Sequence, residues 1–195
     1  CAVLCHLIAV ELNLEPGERD SLVHAAFTMN IGMTALQDVL ATQMERPDQQ
    51  QQDAIRAHPV KGGMMLANIG IVDELWLDIV TSHHDEATGK GELWQVSPAQ
   101  RLARIVRVVD RYAAMISPRR SRVGRSASES VRSILGDTGD ASDLIGHSLV
   151  RTVGLCPPGT YVRLDNGEIA IVMRRSSKAN YPHVAIVLNE IGELL

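Results

Sequence analysis

The hydrophobic period of this chain changes once, at Cys156-Pro157-Pro158-Gly159, and that change limits the folds open to it. Before the boundary, apolar residues recur every three to four positions, the spacing of helices with one buried face. After it, residues 161–173 alternate around Asn166-Gly167, a strong β-hairpin signal that predicts a type I′ turn. Residues 183–188 supply a third strand. The expected fold is mainly α: a helical bundle over residues 1–155, with a small antiparallel β end-piece over 156–195 that belongs to the same domain. A chain of 195 residues, 45% hydrophobic and 22% charged, has the length and make-up of one soluble domain of this kind.

Within the body, Val3, Leu4, Leu7, Ile8 and Leu12 form the stripe of a first helix, which breaks at Glu15-Pro16-Gly17. A second helix over about 19–30 is interrupted at Ile31-Gly32 and continues over 35–44. Pro47 suits the first turn of the next helix, beside Asp48, with 49–52 as a solvated glutamine face. Residues 60–68 form a further helix, which places His58-Pro59 at a junction. Asp73 opens a helix through Ser82 with Leu75, Trp76, Ile79 and Val80 inward. Residues 83–93 lose all periodicity and form a loop, and 98–115 form a long helix. Shorter helices follow near 129–135 and over 142–153, the last ending at Gly154.

No apolar run approaches the roughly 20 residues that span a bilayer, and the apolar opening lacks the basic flank of a signal peptide. The expected location is therefore cytoplasmic, and a start at Cys1, already inside a helical pattern, reads as part of a longer chain. Three cysteines without CxxC spacing argue against a disulfide framework or a cysteine zinc site.

Four side chains carry candidate chemistry: His58, the pair His83-His84, and Asp110. On the long helix, Leu102, Ile105, Val106, Val109 and Ala113 share one arc, and Asp110 falls at its margin. A carboxylate there needs a cation or a metal as partner. Imidazole and carboxylate together suit iron, manganese, zinc or nickel. From the residues alone, a structural histidine pair and an arginine-paired aspartate stand beside the metal reading. His6, His24, His147 and His183 have no supporting context.

The order of motifs narrows this. His58-Pro-x-x-Gly62, His83-His84-x-Glu86, Gly89-x-Gly91 and Arg104-Ile105-x-x-Val108-x-Asp110 resemble the HD-GYP domain. So do Ser117-Pro118-Arg119 and the stretch from Pro158-Gly159 through the hairpin. That bacterial subgroup of the HD metal-dependent phosphohydrolases is associated with cyclic di-GMP hydrolysis. The resemblance implies a helical HD fold with His58, His83, His84 and Asp110 as metal ligands. It also exposes losses. Where the family reads Ala-Ala-x-x-His-Asp-Ile-Gly-Lys, this chain has Ala25-Ala26-Phe27-Thr28-Met29-Asn30-Ile31-Gly32-Met33. Met29 replaces a metal-binding histidine, Asn30 a metal-bridging aspartate and Met33 a phosphate-contacting lysine, while Glu92-Leu93 replaces the family's Tyr-Pro.

A neutral carbonyl oxygen cannot balance two divalent charges, and a thioether is a poor ligand for hard or borderline cations. The resemblance therefore implies a degenerate centre: one residual divalent transition metal (Fe, Mn, Ni or Zn), or none, with no catalytic residue assigned.

Between residues 101 and 125 there are eight arginines and one acid, Asp110, a local charge of +7 within a chain of net charge -4. The plain reading is a solvated helix face; the functional one is phosphate capture, since guanidinium matches phosphate oxygens bidentately. The family carries an Arg-Pro-Tyr-Arg-like element here, so Arg119 and Arg122 are the candidate phosphate contacts. Tyr112 is the segment's one aromatic and no nucleic-acid motif is present, so no nucleic-acid partner is expected. The expectation is a regulatory, signalling or nucleotide-binding module without efficient cyclic di-GMP phosphodiesterase activity. Its expected partners are cyclic di-GMP and GGDEF-type or other signalling proteins. The alternative is a phosphodiesterase with a rebuilt metal centre.

Overall fold

A computed structural model describes residues 1–85, 92–138, 144–176 and 181–194. In chain order the elements are α1 (Ala2–Glu11), α2 (Pro16–Thr28), a 3-10 turn (Ile31–Met33), α3 (Thr34–Thr42), α4 (Gln49–Asn68), α5 (Glu74–Ser82), α6 (Pro98–Ile116), α7 (Ala127–Thr138) and α8 (Leu144–Val153). Three strands follow: β1 (Tyr161–Arg163), β2 (Ile169–Arg174) and β3 (His183–Leu188). The expected helical body with an antiparallel end-piece is what forms. No helix among the described residues is long and apolar enough to cross a membrane.

Helix α6 is the axis. Ser97 and Gln100 form a capping box at its start and Pro98 occupies its first turn, both favourable to initiation. Its buried face carries Leu102, Ala103, Ile105, Val106, Val109 and Tyr112. Each large apolar side chain there contributes about 1.5–3 kcal/mol on burial. Helices α1, α2, α5, α7 and α8 all pack against it. A nearly buried ion pair, Arg101 to Glu18 at 2.5 Å, joins α6 to α2, and the Arg101 guanidinium stacks over Trp94 at 5.1 Å. Helix α5 is hung on α2 by two side-chain bonds. Ser21 Oγ donates to Asp73 at 2.7 Å, and Trp76 Nε1 donates to Thr28 Oγ1 at 2.8 Å. Asp73 also caps α5 by accepting from the Trp76 amide.

The structure corrects four local expectations. Helix α1 buries Ala2, Cys5, Ile8 and Ala9, while Val3 and Leu7 are exposed. This helix is apolar on both faces, so its sequence cannot say which face turns inward. The break between α1 and α2 is present, but α2 begins at Pro16 and not near Arg19, because a proline costs no hydrogen bond in the first turn. Helix α4 runs unbroken through Pro59, so His58 lies inside a helix and not at a junction. Asp48 is its N-cap, in a capping box with Gln51.

The fourth correction is the hairpin turn. The Gly167 amide donates to the Leu164 carbonyl and the Leu164 amide to the Glu168 carbonyl, both at 2.9 Å. Only Gly167, at φ +91°, has positive φ; Asn166 does not. A type I′ turn needs positive φ at both central residues, so this is the longer loop with a glycine bulge. The sheet is a simple antiparallel meander, β1-β2-β3. Arg175, just past β2, donates to the Thr152 carbonyl at 2.6 Å and to that of Arg151, tying the sheet to the end of α8.

Candidate metal centre

Two glycines set how closely the elements around His58 approach. A Cβ on Gly32 would lie 2.5 Å from the His58 carbonyl oxygen and 2.9 Å from the Gly62 nitrogen. The 3-10 turn therefore rests directly on the turn of α4 that carries His58. On the neighbouring side, a Cβ on Gly63 would overlap the Thr81 methyl, so α4 and α5 meet at a glycine as well. That closeness brings the end of α5, with His83, to His58.

Both histidines are held by a carbonyl three residues earlier in their own helix. The His58 Nδ1–H donates to Ile55 O at 2.5 Å, and the His83 Nδ1–H donates to Val80 O at 2.7 Å. Pro59 lacks the amide that a helix would bring to Ile55 O, which leaves that oxygen to the imidazole. Val80 is among the last four residues of α5, whose carbonyls a helix leaves without amides of its own.

With Nδ1 committed, each ring presents a bare Nε2, and the two Nε2 atoms stand 3.2 Å apart. Burial pushes the His83 pKa down to about 4 and lowers those of His58 and His84 as well. At neutral pH the pair is therefore two uncharged rings with lone pairs facing each other, which repel without a cation between them. Two nitrogens about 2.1 Å from one ion, at tetrahedral to octahedral angles, stand roughly 3.0–3.4 Å apart. The donor set fits a transition-metal ion.

His84 completes the cluster. Its ring centroid lies 4.3 Å from that of His83 and 5.1 Å from that of His58. One ligand atom from each of the three histidines lies within 4.8 Å of the others, with His58 and His83 buried and His84 exposed. Asp110 is half-buried beside them and is not among the clustered donors. Burial raises its pKa, against the opposing pull of His84, His58 and Arg119.

The replaced motif runs from the end of α2 into the 3-10 turn that rests on α4. Met29 is 3% exposed and part of the core, Gly32 is pressed on α4, and Asn30 and Met33 are half-buried. The arginine pair closes a tight turn, with mutual backbone bonds of 3.0 Å between Arg119 and Arg122. The Arg122 guanidinium donates to the Ala114 carbonyl at the end of α6. Together with Arg111, Met115, Val123, Arg125 and Ser133, Arg122 lines a cleft of about 440 Å³ that none of the three histidines borders. Of the 83–93 loop, residues 86–91 lie outside the described residues, and with them Gly89 and Gly91.

Sequence reasoning identified the histidines but missed Pro59, Gly32 and Gly63 as the residues that place them. The available signal was proline and glycine inside an otherwise helical stretch.

The HD domain family matches residues 1–143. A cyclic di-GMP phosphodiesterase from Pseudomonas aeruginosa is 28% identical over 183 residues, 91% of this chain and 44% of that protein. The chain thus spans less than half the length of this curated relative.

Proposed function

This chain belongs to the HD domain family as an HD-GYP-like member, and we propose on that premise that it is a phosphodiesterase framework turned regulatory or nucleotide-binding module. It holds one divalent transition metal at His58, His83 and His84 and lacks efficient turnover of cyclic di-GMP. HD domains are generally metal-dependent. The observation that carries a metal here is the pair of bare Nε2 atoms 3.2 Å apart with both Nδ1 atoms occupied. Imidazole suits iron, nickel and zinc, and the neighbouring carboxylate extends the choice to manganese. When bound, such a cation supplies Lewis-acid polarisation of a phosphoryl oxygen.

Weak turnover follows from the replaced motif. Met29, buried in the core, offers a thioether, and Asn30 offers no charge where the resemblance expects a bridging carboxylate. Asp110 is the remaining carboxylate, and burial raises its pKa. Three neutral rings and one carboxylate do not balance two divalent charges. Metal analysis of the purified protein should find at most one transition metal per chain, lost on His83→Ala substitution. Incubation with cyclic di-GMP and manganese or iron should give no robust linear product. Two or more tightly held metals per chain, with turnover, would establish instead the alternative reading, an enzyme with a rebuilt centre that also uses Asp110.

Cyclic di-GMP is the ligand to test first, because the relative's name specifies that substrate. Of the two candidate phosphate contacts Arg119 is the one to test first, because the Arg122 guanidinium is engaged with the Ala114 carbonyl. Calorimetry should register binding that weakens more on Arg119→Ala than on Arg122→Ala; no binding up to about 1 mM ligand removes this reading. GGDEF-type proteins are the second class of partner, to be tested by pull-down with and without replacement of residues 85–93.

A further inference from the structure

Proline inside an α-helix removes one hydrogen bond and crowds the preceding turn, at about 3 kcal/mol. Pro59 sits in the interior of the 20-residue helix α4, buried, with nine further helical residues after it. An alanine there would be the better helix former. The cost has a local return: the amide missing at residue 59 is the one that would bond Ile55 O, and the acceptor that occupies this place is matched instead to His58 Nδ1–H at 2.5 Å. His83 needs no such device, because its acceptor, Val80 O, belongs to the last turn of α5.

We infer that Pro59 is a positioning residue for the metal centre: by withholding an amide from Ile55 O, it keeps that carbonyl for His58 and holds this ring in the tautomer whose bare Nε2 faces His83. Restoring the amide makes the imidazole share that carbonyl with a second donor, which weakens its bond although a carbonyl oxygen can accept two. The backbone donor is part of the helix and is held in place. The imidazole proton then gains by moving to Nε2, where His83 Nε2 accepts it at the existing 3.2 Å separation. The resulting Nε2–H···Nε2 bond satisfies both nitrogens and blocks the lone pair a cation needs. Pro59 thus decides between a closed histidine–histidine pair and an open ligand pair. Its consequence for metal affinity rests on the metal-site reading above, while its effect on the tautomer does not.

The test separates the two. In metal-free protein at about pH 8, with ¹⁵N-labelled histidine, long-range ¹H–¹⁵N spectra distinguish a protonated ring nitrogen from a bare one. His58 should be protonated at Nδ1 in the parent protein. In Pro59→Ala a substantial share should carry the proton on Nε2, with His83 keeping its proton on Nδ1. Zinc affinity by competition should fall about 10- to 100-fold, the range typical of removing an outer partner of a ligand, while the thermal midpoint stays equal or rises. A second variant carries lactic acid at position 59, an ester that lacks both the ring and the amide; it should keep the parent tautomer and affinity. An unchanged His58 tautomer in Pro59→Ala, or an ester variant that behaves like alanine, would overturn the inference. A tautomer change in a protein that binds no zinc would uphold it and remove the metal-site reading instead.

Discussion

At the scale of single residues, chemistry here is set by burial more than by charge. Cys5 is fully buried on α1, and burial pushes its thiol pKa up to about 12 from 9.0. The native thiol thus stays protonated where the unfolded one ionises. Between about pH 9 and 12 the native state binds more protons, so the contribution is complete below pH 9 and is lost as pH rises toward 12, by about 1.4 kcal/mol per unit at most. Urea midpoints should fall over that range and recover in a Cys5→Ala variant corrected for its cavity. Iodoacetamide at pH 8 should label exposed Cys1 and spare Cys5 until denaturant is added; equal labelling of both in native protein would contradict this placement. The same distinction governs what could be read from the sequence. That His58, His83 and His84 come together was legible from the order of the motifs, since the resemblance sets all three around one centre. Their protonation and tautomers were not, because these depend on which backbone carbonyl lies beside each ring.

At the scale of elements, the legible part was each helix's existence and the obscure part was its contacts. The stripe on α6 predicted its buried face correctly, since one side is charged and the other apolar. Helix α1, apolar on both faces, carried no such signal. The unbroken course of α4 was hidden because proline usually marks an end, and a proline tolerated for a neighbour's hydrogen bond has no separate signature. Gly32 tests the contact that matters most. Its added Cβ in Gly32→Ala would meet backbone, the His58 carbonyl, which cannot rotate away. Denaturant unfolding should show a loss of about 1–3 kcal/mol, and zinc affinity should fall with it as the turn of His58 is displaced. Gly63→Ala should cost less, because it meets the Thr81 methyl, the end of a side chain that can turn. In the hairpin, Gly167→Ala should cost about 1 kcal/mol because φ is +91° there, while Asn166→Gly should bring no gain. A stabilising Asn166→Gly would instead support the type I′ turn expected from the Asn-Gly pair.

At the scale of the whole molecule, the change of hydrophobic period at residues 156–159 foretold where two kinds of packing meet. The contiguous core draws on α1, α2 and α4–α8, and neither Ala170 nor Val172, the buried residues of the sheet, belongs to it. Among the described residues, polar contacts tie the sheet to the end of α8, where Arg175 reaches the carbonyls of Arg151 and Thr152. Those two carbonyls belong to the last turn of a helix, where a cation is favourable on dipole grounds alone, by about 0.3–1 kcal/mol at an exposed site. The three histidines lie on α4 and at the end of α5, wholly inside the helical body. A chain ending after Leu155 should therefore fold, unfold cooperatively by circular dichroism, and bind zinc within about threefold of the full chain. Arg175→Ala in the full chain should leave the helical transition in place while amide exchange in β2 and β3 accelerates. If the shortened chain is unfolded, the end-piece is part of one cooperative unit and the metal centre depends on it. The helical body could then not have been retained as a binding module apart from its sheet.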